Sequence, residues 1–440
     1  MSIHINKDYE QHLASLKHTY IDEEPPAGTL GDIIVDGKPE NRLIIPPVNA
    51  DIRLTDVLPR YKKSDYPGLQ DISVSELPEN FSWGRHDSDD STQIKNKKKH
   101  ISTPGNQLLC GSCWAYSTSR VISDNFVTNG LTKVNPKLSA TYCLSCYSQG
   151  KCNGGNPAQL LTDIETGGIK SDRCLDYSWC QDDQNCSGDP LKHFHATANI
   201  NDLIPPCECE NVPKGVKNPS FYIQNPSTVT INNGHTDAVD ILKKHIYLQG
   251  PIIGTFIVLK NFMNPIHTQI NGGVYLENHD YQPDGTVQFI DDPEYGSMFQ
   301  GGHAVSVMGW GVAKNILVDN NGTRKDVPYW HVRNSWDTKW GDNGYFKMAM
   351  YPFNKIACIE KVTTLGTPQG MVQLGGAMIF DTNKAPKGID EILYEDKEDK
   401  EDKEDKGDKD DKKNHNVLFI ILGVVMALIV AIILIVMLMK

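Results

Sequence analysis

Gln107-Leu108-Leu109-Cys110-Gly111-Ser112-Cys113-Trp114-Ala115-Tyr116-Ser117 decides how the rest of the chain is read. The residues from Cys113 through about Thr128 read as a helix, which places the Cys113 sulfur at a helix N-terminus. The partial positive charge there favours thiolate over thiol, which turns a cysteine into a nucleophile. Cys110, Gly111 and Ser112 make a tight approach to it. Gln107, upstream, can turn an amide N–H toward an oxygen that becomes negative when a thiolate attacks a carbonyl.

The chain has 440 residues, enough for two domains or for one large domain with appendages. Its formal charge of −12 comes with no basic cluster outside the tail, so nucleic-acid binding has no electrostatic support. Eleven cysteines, ten of them between Cys110 and Cys209, predict a disulfide framework plus an unpaired thiol, for which Cys113 is the candidate. The first residues hold no apolar run long enough for a secretory signal, although disulfides are rare in a reducing cytosol.

Residues 1–75 contain one short predicted helix, about Lys7 to Lys17, and then a weakly patterned Pro- and Gly-rich stretch. Their position ahead of the nucleophile segment makes them either a pro-region over a cleft or a plain extension. Further on, Asn156 caps a predicted helix that starts at Pro157 and ends at Gly167-Gly168. Gly154 and Gly155 before it carry no side chains, so an extended peptide can approach their backbone as an added strand. Thr236 to Leu248 reads as an amphipathic helix with Val239, Leu242 and Ile246 on one face. After it the pattern turns to short strands at 252–259, 273–276, 304–310, 328–333 and 344–350. Asn321-Gly322 supplies a hairpin turn between two of these. The architecture is therefore α+β, a helical N-terminal half and an antiparallel β C-terminal half with a cleft between them.

The phrases Cys110-Gly-Ser-Cys113-Trp-Ala, Gly302-His303-Ala304, Gly309-Trp-Gly311, Arg333-Asn334-Ser335-Trp336 and Trp340-Gly-Asp-Asn-Gly-Tyr345 occur in one order. In that order they resemble papain-like cysteine peptidases, most closely cathepsins B and X, over about Leu77 to Glu360. The resemblance implies a two-lobed papain-like fold beginning near residue 76 and a Cys110–Cys152 disulfide. It also implies that the segment with Gly154 and Gly155 lines the substrate cleft. It assigns Cys113 as nucleophile, His303 as its proton partner, Asn334 as the residue that orients His303, Gln107 as an oxyanion donor, and Trp336 as a shield at the substrate-binding cleft. Such an enzyme takes protein or peptide substrates, needs no metal or organic cofactor, and is expected to be a monomer.

Residues 174–209, a cysteine-rich insertion ending in Ile204-Pro-Pro-Cys207-Glu208, resemble the occluding loop of cathepsin B. The family's pair of adjacent histidines is absent, because Cys209-Glu210-Asn211 stands there, so an endopeptidase is expected. Asp337 replaces the family's glycine after Asn-Ser-Trp. Three other readings compete: a four-cysteine zinc site from Cys110-x-x-Cys113 and Cys143-x-x-Cys146, a redox dithiol at the first pair, and an inactive peptide-binding homologue.

The peptidase domain is expected over 76–366, followed by a connector, 367–394. Residues 395–416 repeat Glu-Asp-Lys, too charged to collapse, and form a solvated tether. Residues 417–439 are uninterrupted apolar sequence, about 34 Å long as a helix, the thickness of a bilayer core. A C-terminal transmembrane helix is expected, with the peptidase domain on the cytosolic side.

Overall fold

The computed structural model describes residues 58–85, 90–183, 186, 200–209, 218–229, 238–263, 265–277, 279–282, 284–289, 299–350, 376–387 and 389. The expected helix at Lys7–Lys17, the Cys358 region, the charged tether and the apolar run 417–439 lie outside them. No helix among the described residues is long and apolar enough to cross a membrane.

The helices come first: α1 Thr92–Lys98, α2 Cys113–Thr128, α3 Ala140–Cys146, α4 Pro157–Gly167, α5 Ser178–Gln181 and, later, α6 Ala238–Leu248. Local chemistry sets their ends. Ser91 and Ser139 accept from the backbone N–H of Ile94 and Tyr142 to cap α1 and α3. Asn156 accepts from Ala158, Pro157 fills the first turn of α4, and Gly168 at φ 74° ends it. In α6, Val239, Leu242 and Ile246 are buried on one face.

Helix α2 differs from an ordinary surface helix, since every residue of it except Arg120 is buried. Several of its polar side chains find partners inside the protein. Ser123 donates to Ser119 O at 2.8 Å, and Asn125 Nδ2 donates to Val121 O and Pro251 O, each at 2.8 Å. Asp124 meets the Arg333 guanidinium at 2.7 Å.

The strands are β1 Phe81–Ser82, β2 Ile223–Val229, β3 Ile252–Leu259, β4 Val274–Tyr275, β5 His279–Tyr281, β6 Val287–Phe289, β7 Phe299–Leu317, β8 Arg324–Arg333, β9 Tyr345–Ala349 and β10 Gly376–Thr382. The main sheet has the order β2-β10-β3-β7-β8-β9-β4, with β1 on β7 and a separate β5-β6 hairpin. Its pairs are antiparallel except β4 with β9. The turn at Asn321-Gly322 joins β7 to β8 as expected, with Gly322 at φ 80°. β1 can cross β7 because Gly309 has no side chain, since a Cβ there would stand 1.9 Å from Phe81 O. Trp310, Trp330 and Phe346 pack in the core beside α6, and each large apolar side chain so buried contributes roughly 1.5–3 kcal/mol.

The packed domain reaches past both ends of the expected 76–366 range. Pro59 O accepts from Thr228 N and Tyr61 N donates to Thr228 O, each at 2.9 Å, which lays residues 59–61 along the β2 edge. Tyr66 and Leu69 join the core from short 3-10 turns at Lys63–Asp65 and Pro67–Gln70. In the stretch expected to be a connector, β10 lies between β2 and β3 with Ala377 and Ile379 in the core. Alternation alone could not separate this buried strand from a loop, because all of Ala377–Phe380 is buried and the pattern is continuous rather than two-faced.

The disulfides are Cys110–Cys152, as the resemblance implies, together with Cys146–Cys207, Cys174–Cys209 and Cys180–Cys186. Cys110 and Cys146 are thereby spent, which leaves the four-cysteine zinc arrangement two ligands short and the Cys110–Cys113 dithiol without its partner. Among the described residues Cys113, as expected, forms no disulfide, and neither does Cys143. Burial pushes the Cys143 thiol up and keeps it protonated, so it behaves as a small apolar side chain.

Candidate active site

Helix α2 presents Cys113 as its first residue, and α2 packs against β7, the strand that carries His303. The backbone N–H of Ala304 lies 3.4 Å from Cys113 Sγ, which brings the sulfur next to the residue that follows His303. His303 Nε2 lies 2.8 Å from Asn334 Oδ1. An amide oxygen only accepts, so Nε2 carries the proton and Nδ1 keeps its lone pair in the neutral ring. His303 Nδ1 has no hydrogen-bond partner. The Trp336 ring stacks on the imidazole with centroids 4.7 Å apart. Phe256 meets the ring edge-on at 5.8 Å.

Gln107 reaches the same place from the other direction. Its Oε1 accepts from Ser335 Oγ at 2.5 Å, its Nε2 donates to Cys110 O at 3.0 Å, and its backbone N–H donates to Ser335 O at 2.9 Å. The loop before the nucleophile is thus tied to the residue after Asn334. Gly154 and Gly155 follow the Cys110–Cys152 disulfide. Gly154 holds φ 105°, and a Cβ at Gly155 would fall 2.4 Å from the Trp114 indole. Both glycines are buried here, so their backbones are covered rather than open to a peptide.

Gln107, Cys113 and His303 are each 0 % exposed, and this sealing has an electrostatic consequence. Burial pushes His303 down to about 4, only partly offset by its bond to Asn334. The enclosed imidazole is therefore neutral near neutral pH, and charge separation with Cys113 requires solvent or substrate dipoles to enter. His245 and His279 are also pushed down to about 4 by burial, and His331 to about 3 by burial aided by Arg85, Lys347 and Lys98. Unfolded, each protonates near 6.5. Between those values the unfolded chain binds more protons than the folded one, so stability falls as pH drops from about 6.5 toward 4. Thermal melts are expected to show a midpoint that declines steadily across this window, and a flat or rising midpoint would contradict the burial of neutral imidazoles.

Two features of the site were not apparent in the sequence. Arg333, immediately before Asn334, donates to Asp124 on α2, to Ser102 O at 2.6 Å and to Ser306 Oγ at 3.1 Å, tying the nucleophile helix to β8. Tyr177, in the cysteine-rich insertion, lies 2.7 Å from Ser112 Oγ and 3.1 Å from Gln107 O through its hydroxyl. Neither pairing has a local sequence signal, because the partners stand far apart along the chain.

A helix-terminal thiol beside a histidine on an antiparallel sheet defines the class of cysteine hydrolases, and comparison with known proteins agrees. The model of the papain family of cysteine proteases matches residues 88–364, and the chain belongs to that family. It is similar to the Probable cysteine proteinase 024R of Invertebrate iridescent virus 3, 39 % identical over 363 residues covering 78 % of this chain and 73 % of that protein. It is also similar to the Probable cysteine proteinase 361L of Invertebrate iridescent virus 6, at 38 % over 377 residues, 77 % of this chain and 68 % of that one. The Cathepsin B-like cysteine proteinase 6 of Caenorhabditis elegans is 28 % identical over 285 residues, 62 % of each chain. Among solved structures, procathepsin B S9 from Trypanosoma congolense aligns over 87 % of this chain and 99 % of that one, with 20 % identity and a TM-score of 0.47. The protein is a papain-family cysteine protease with a papain-like mixture of helix and sheet.

Proposed function

We propose that the chain hydrolyses peptide bonds through a Cys113, His303 and Asn334 mechanism. The observation that carries this reading is the placement of Cys113 Sγ against the Ala304 N–H while the adjacent His303 is held through Nε2 by Asn334. Nδ1 of His303 takes the thiol proton, and the thiolate attacks the scissile carbonyl carbon. The resulting oxyanion is met by the Cys113 backbone N–H and by the second N–H of the Gln107 amide, the first being engaged with Cys110 O. The His303 imidazolium then gives its proton to the leaving amine, and water hydrolyses the thioester with His303 as base. Trp336 keeps water from the bond between His303 and Asn334. Gly154 and Gly155 pair with an extended substrate once the covering over them withdraws.

In the same proposal, residues 417–439 anchor the protease in a membrane, residues 395–416 form its tether, and the domain faces the cytosol as a monomer. Similarity to proteins of two iridescent viruses supports a viral setting for that membrane. In this reading residues 1–75 are a pro-region ahead of the protease domain. The test is labelling with a thiol-directed peptide epoxide together with hydrolysis of a peptide library. Both are expected in the parent chain, with label mapped to Cys113 and lost in Cys113→Ala. A properly folded parent that binds peptides but neither labels nor cleaves would instead be an inactive homologue.

A further inference from the structure

Helix α2 carries a serine one turn beyond its nucleophile. Ser117 follows Cys113 by four residues and so shares its face of the helix, the face that meets Ala304 on β7. A buried helical serine commonly gives its proton to the carbonyl four residues back. Ser123 does so, to Ser119 O at 2.8 Å. Ser117 Oγ has no partner among the described residues, although the residue is only 5 % exposed.

Asn334 has the matching gap. Its Oδ1 accepts from His303 Nε2 and from Ser335 N, each at 2.8 Å, and two donors on one oxygen fix which way the amide faces. Nδ2 therefore lies on the other side, with two N–H groups to give and no acceptor among the described residues, in a residue 3 % exposed. Ser117 and Asn334 line one cavity of about 10 Å³, together with Arg120 of α2, Ala304 and Ser306 of β7, and Arg333. That is about the room one water takes, and a buried water needs two to four polar partners. Asn334 Nδ2 and the Ser117 hydroxyl are two. Ser306 offers a third, since its Oγ accepts from Arg333 Nη2 at 3.1 Å and keeps its own proton to give.

We propose that this cavity is a water site and that Ser117 is a positioning residue for peptide hydrolysis, its hydroxyl linked through one ordered water to Nδ2 of Asn334. The inference rests on the hydrolytic role of Cys113, His303 and Asn334 proposed above. The water accepts from Asn334 Nδ2 and donates to Ser117 Oγ, so the amide is held at both ends, Oδ1 by His303 and Ser335 and Nδ2 by the helix of the nucleophile. An amide turned over would set a donor against the Nε2 proton of His303. The ring would answer by carrying its proton on Nδ1, the atom that has to take the thiol proton. The bridge thereby ties the aim of the imidazole to α2 itself.

The experiment has two arms, both on the full chain. In crystals of the parent, density is expected for a water within about 3.2 Å of both Ser117 Oγ and Asn334 Nδ2. A dry cavity, or a water that touches only one of the two, would overturn the proposal. The second arm measures kcat, KM and the pH dependence of kcat/KM on a fluorogenic peptide for the parent, Ser117→Ala, Asn334→Ala and the double variant. Ser117→Ala is expected to lower kcat about fivefold with KM within about twofold. Its basic limb is expected to move down by about half a pH unit, because a loosened Asn334 supports the imidazolium less. In the Asn334→Ala background the serine has no amide to hold, so Ser117→Ala adds no further loss there. An unmoved kcat and limb in folded Ser117→Ala, or the full loss repeated in the double variant, would sink the positioning role. Should Ser117→Ala fail to fold by circular dichroism, the parent's density alone decides. A parent chain that neither hydrolyses peptide nor labels at Cys113 defeats the hydrolytic reading instead, whereas an active parent with a dry cavity defeats only the role of Ser117.

Discussion

His303→Ala is expected to lower kcat/KM for a peptide substrate by about 10⁴-fold or more, with the loss in kcat rather than in KM. The imidazole serves three steps of the proposed cycle: it takes the thiol proton, returns it to the leaving amine, and activates the water that clears the thioester. None of these is a binding contact. His303 is buried between Trp336 and Phe256, and alanine opens a hole there, so a loss of stability accompanies the loss of rate. The two separate in a titration with peptide epoxide. If His303 only packs, a folded variant labels as fast as the parent; if it activates the sulfur, labelling slows along with turnover.

Asp124→Ala is expected to cost about 3–5 kcal/mol of folding stability, the range for removing one partner of a buried ion pair. Asp124 Oδ2 meets Arg333 Nη1 at 2.7 Å, with side chains only 0 % and 2 % exposed respectively. Arg333 keeps Ser102 O and Ser306 Oγ in the variant, but its charge is left uncompensated. The other Asp124 oxygen accepts from Ser102 N at 2.7 Å and from Asn135 Nδ2 at 3.0 Å; the Ser102 N–H loses that acceptor, while Asn135 Nδ2 keeps His100 O and Ser102 Oγ. Because Asp124 lies on the helix of Cys113 and Arg333 precedes Asn334, activity is expected to fall with stability. Denaturant titration of Asp124→Ala checks the magnitude, and a change below about 1 kcal/mol would place this pair among those whose desolvation cancels their attraction.

The local grammar of the chain was legible where one residue type has one physical use. Asn156, Pro157 and Gly168 bound α4 as read, because capping, a missing N–H and positive φ are properties of those residues themselves. The start of α2 and the span of β3 also came out as expected, since a helix-terminal cysteine phrase and an eight-residue stretch rich in β-branched and aromatic residues leave few alternatives. What escaped were structures made by distant partners. β10 is a buried strand whose neighbours come from residues 223–229 and 252–259, and nothing within Gly376–Thr382 declares them. The N-terminal stretch read as weakly patterned and rich in Pro and Gly, yet Tyr66 and Leu69 are buried in the core with elements that come much later. At the site, the resemblance to papain-like cysteine peptidases pointed to Cys113, His303, Asn334 and Gln107, while the tie from Ser112 to Tyr177 joins residues far apart along the chain and has no local signal.

The central claim is that His303 makes a nucleophile of Cys113, and the rate of Cys113 alkylation by iodoacetamide as a function of pH tests it most directly. Measured on both proteins under the same conditions, the parent is expected to react at a substantial rate well below about pH 8.5, where an ordinary thiol is protonated, while His303→Ala reacts only as pH approaches that value. Coincident profiles in the two proteins, both following an ordinary thiol, would contradict it.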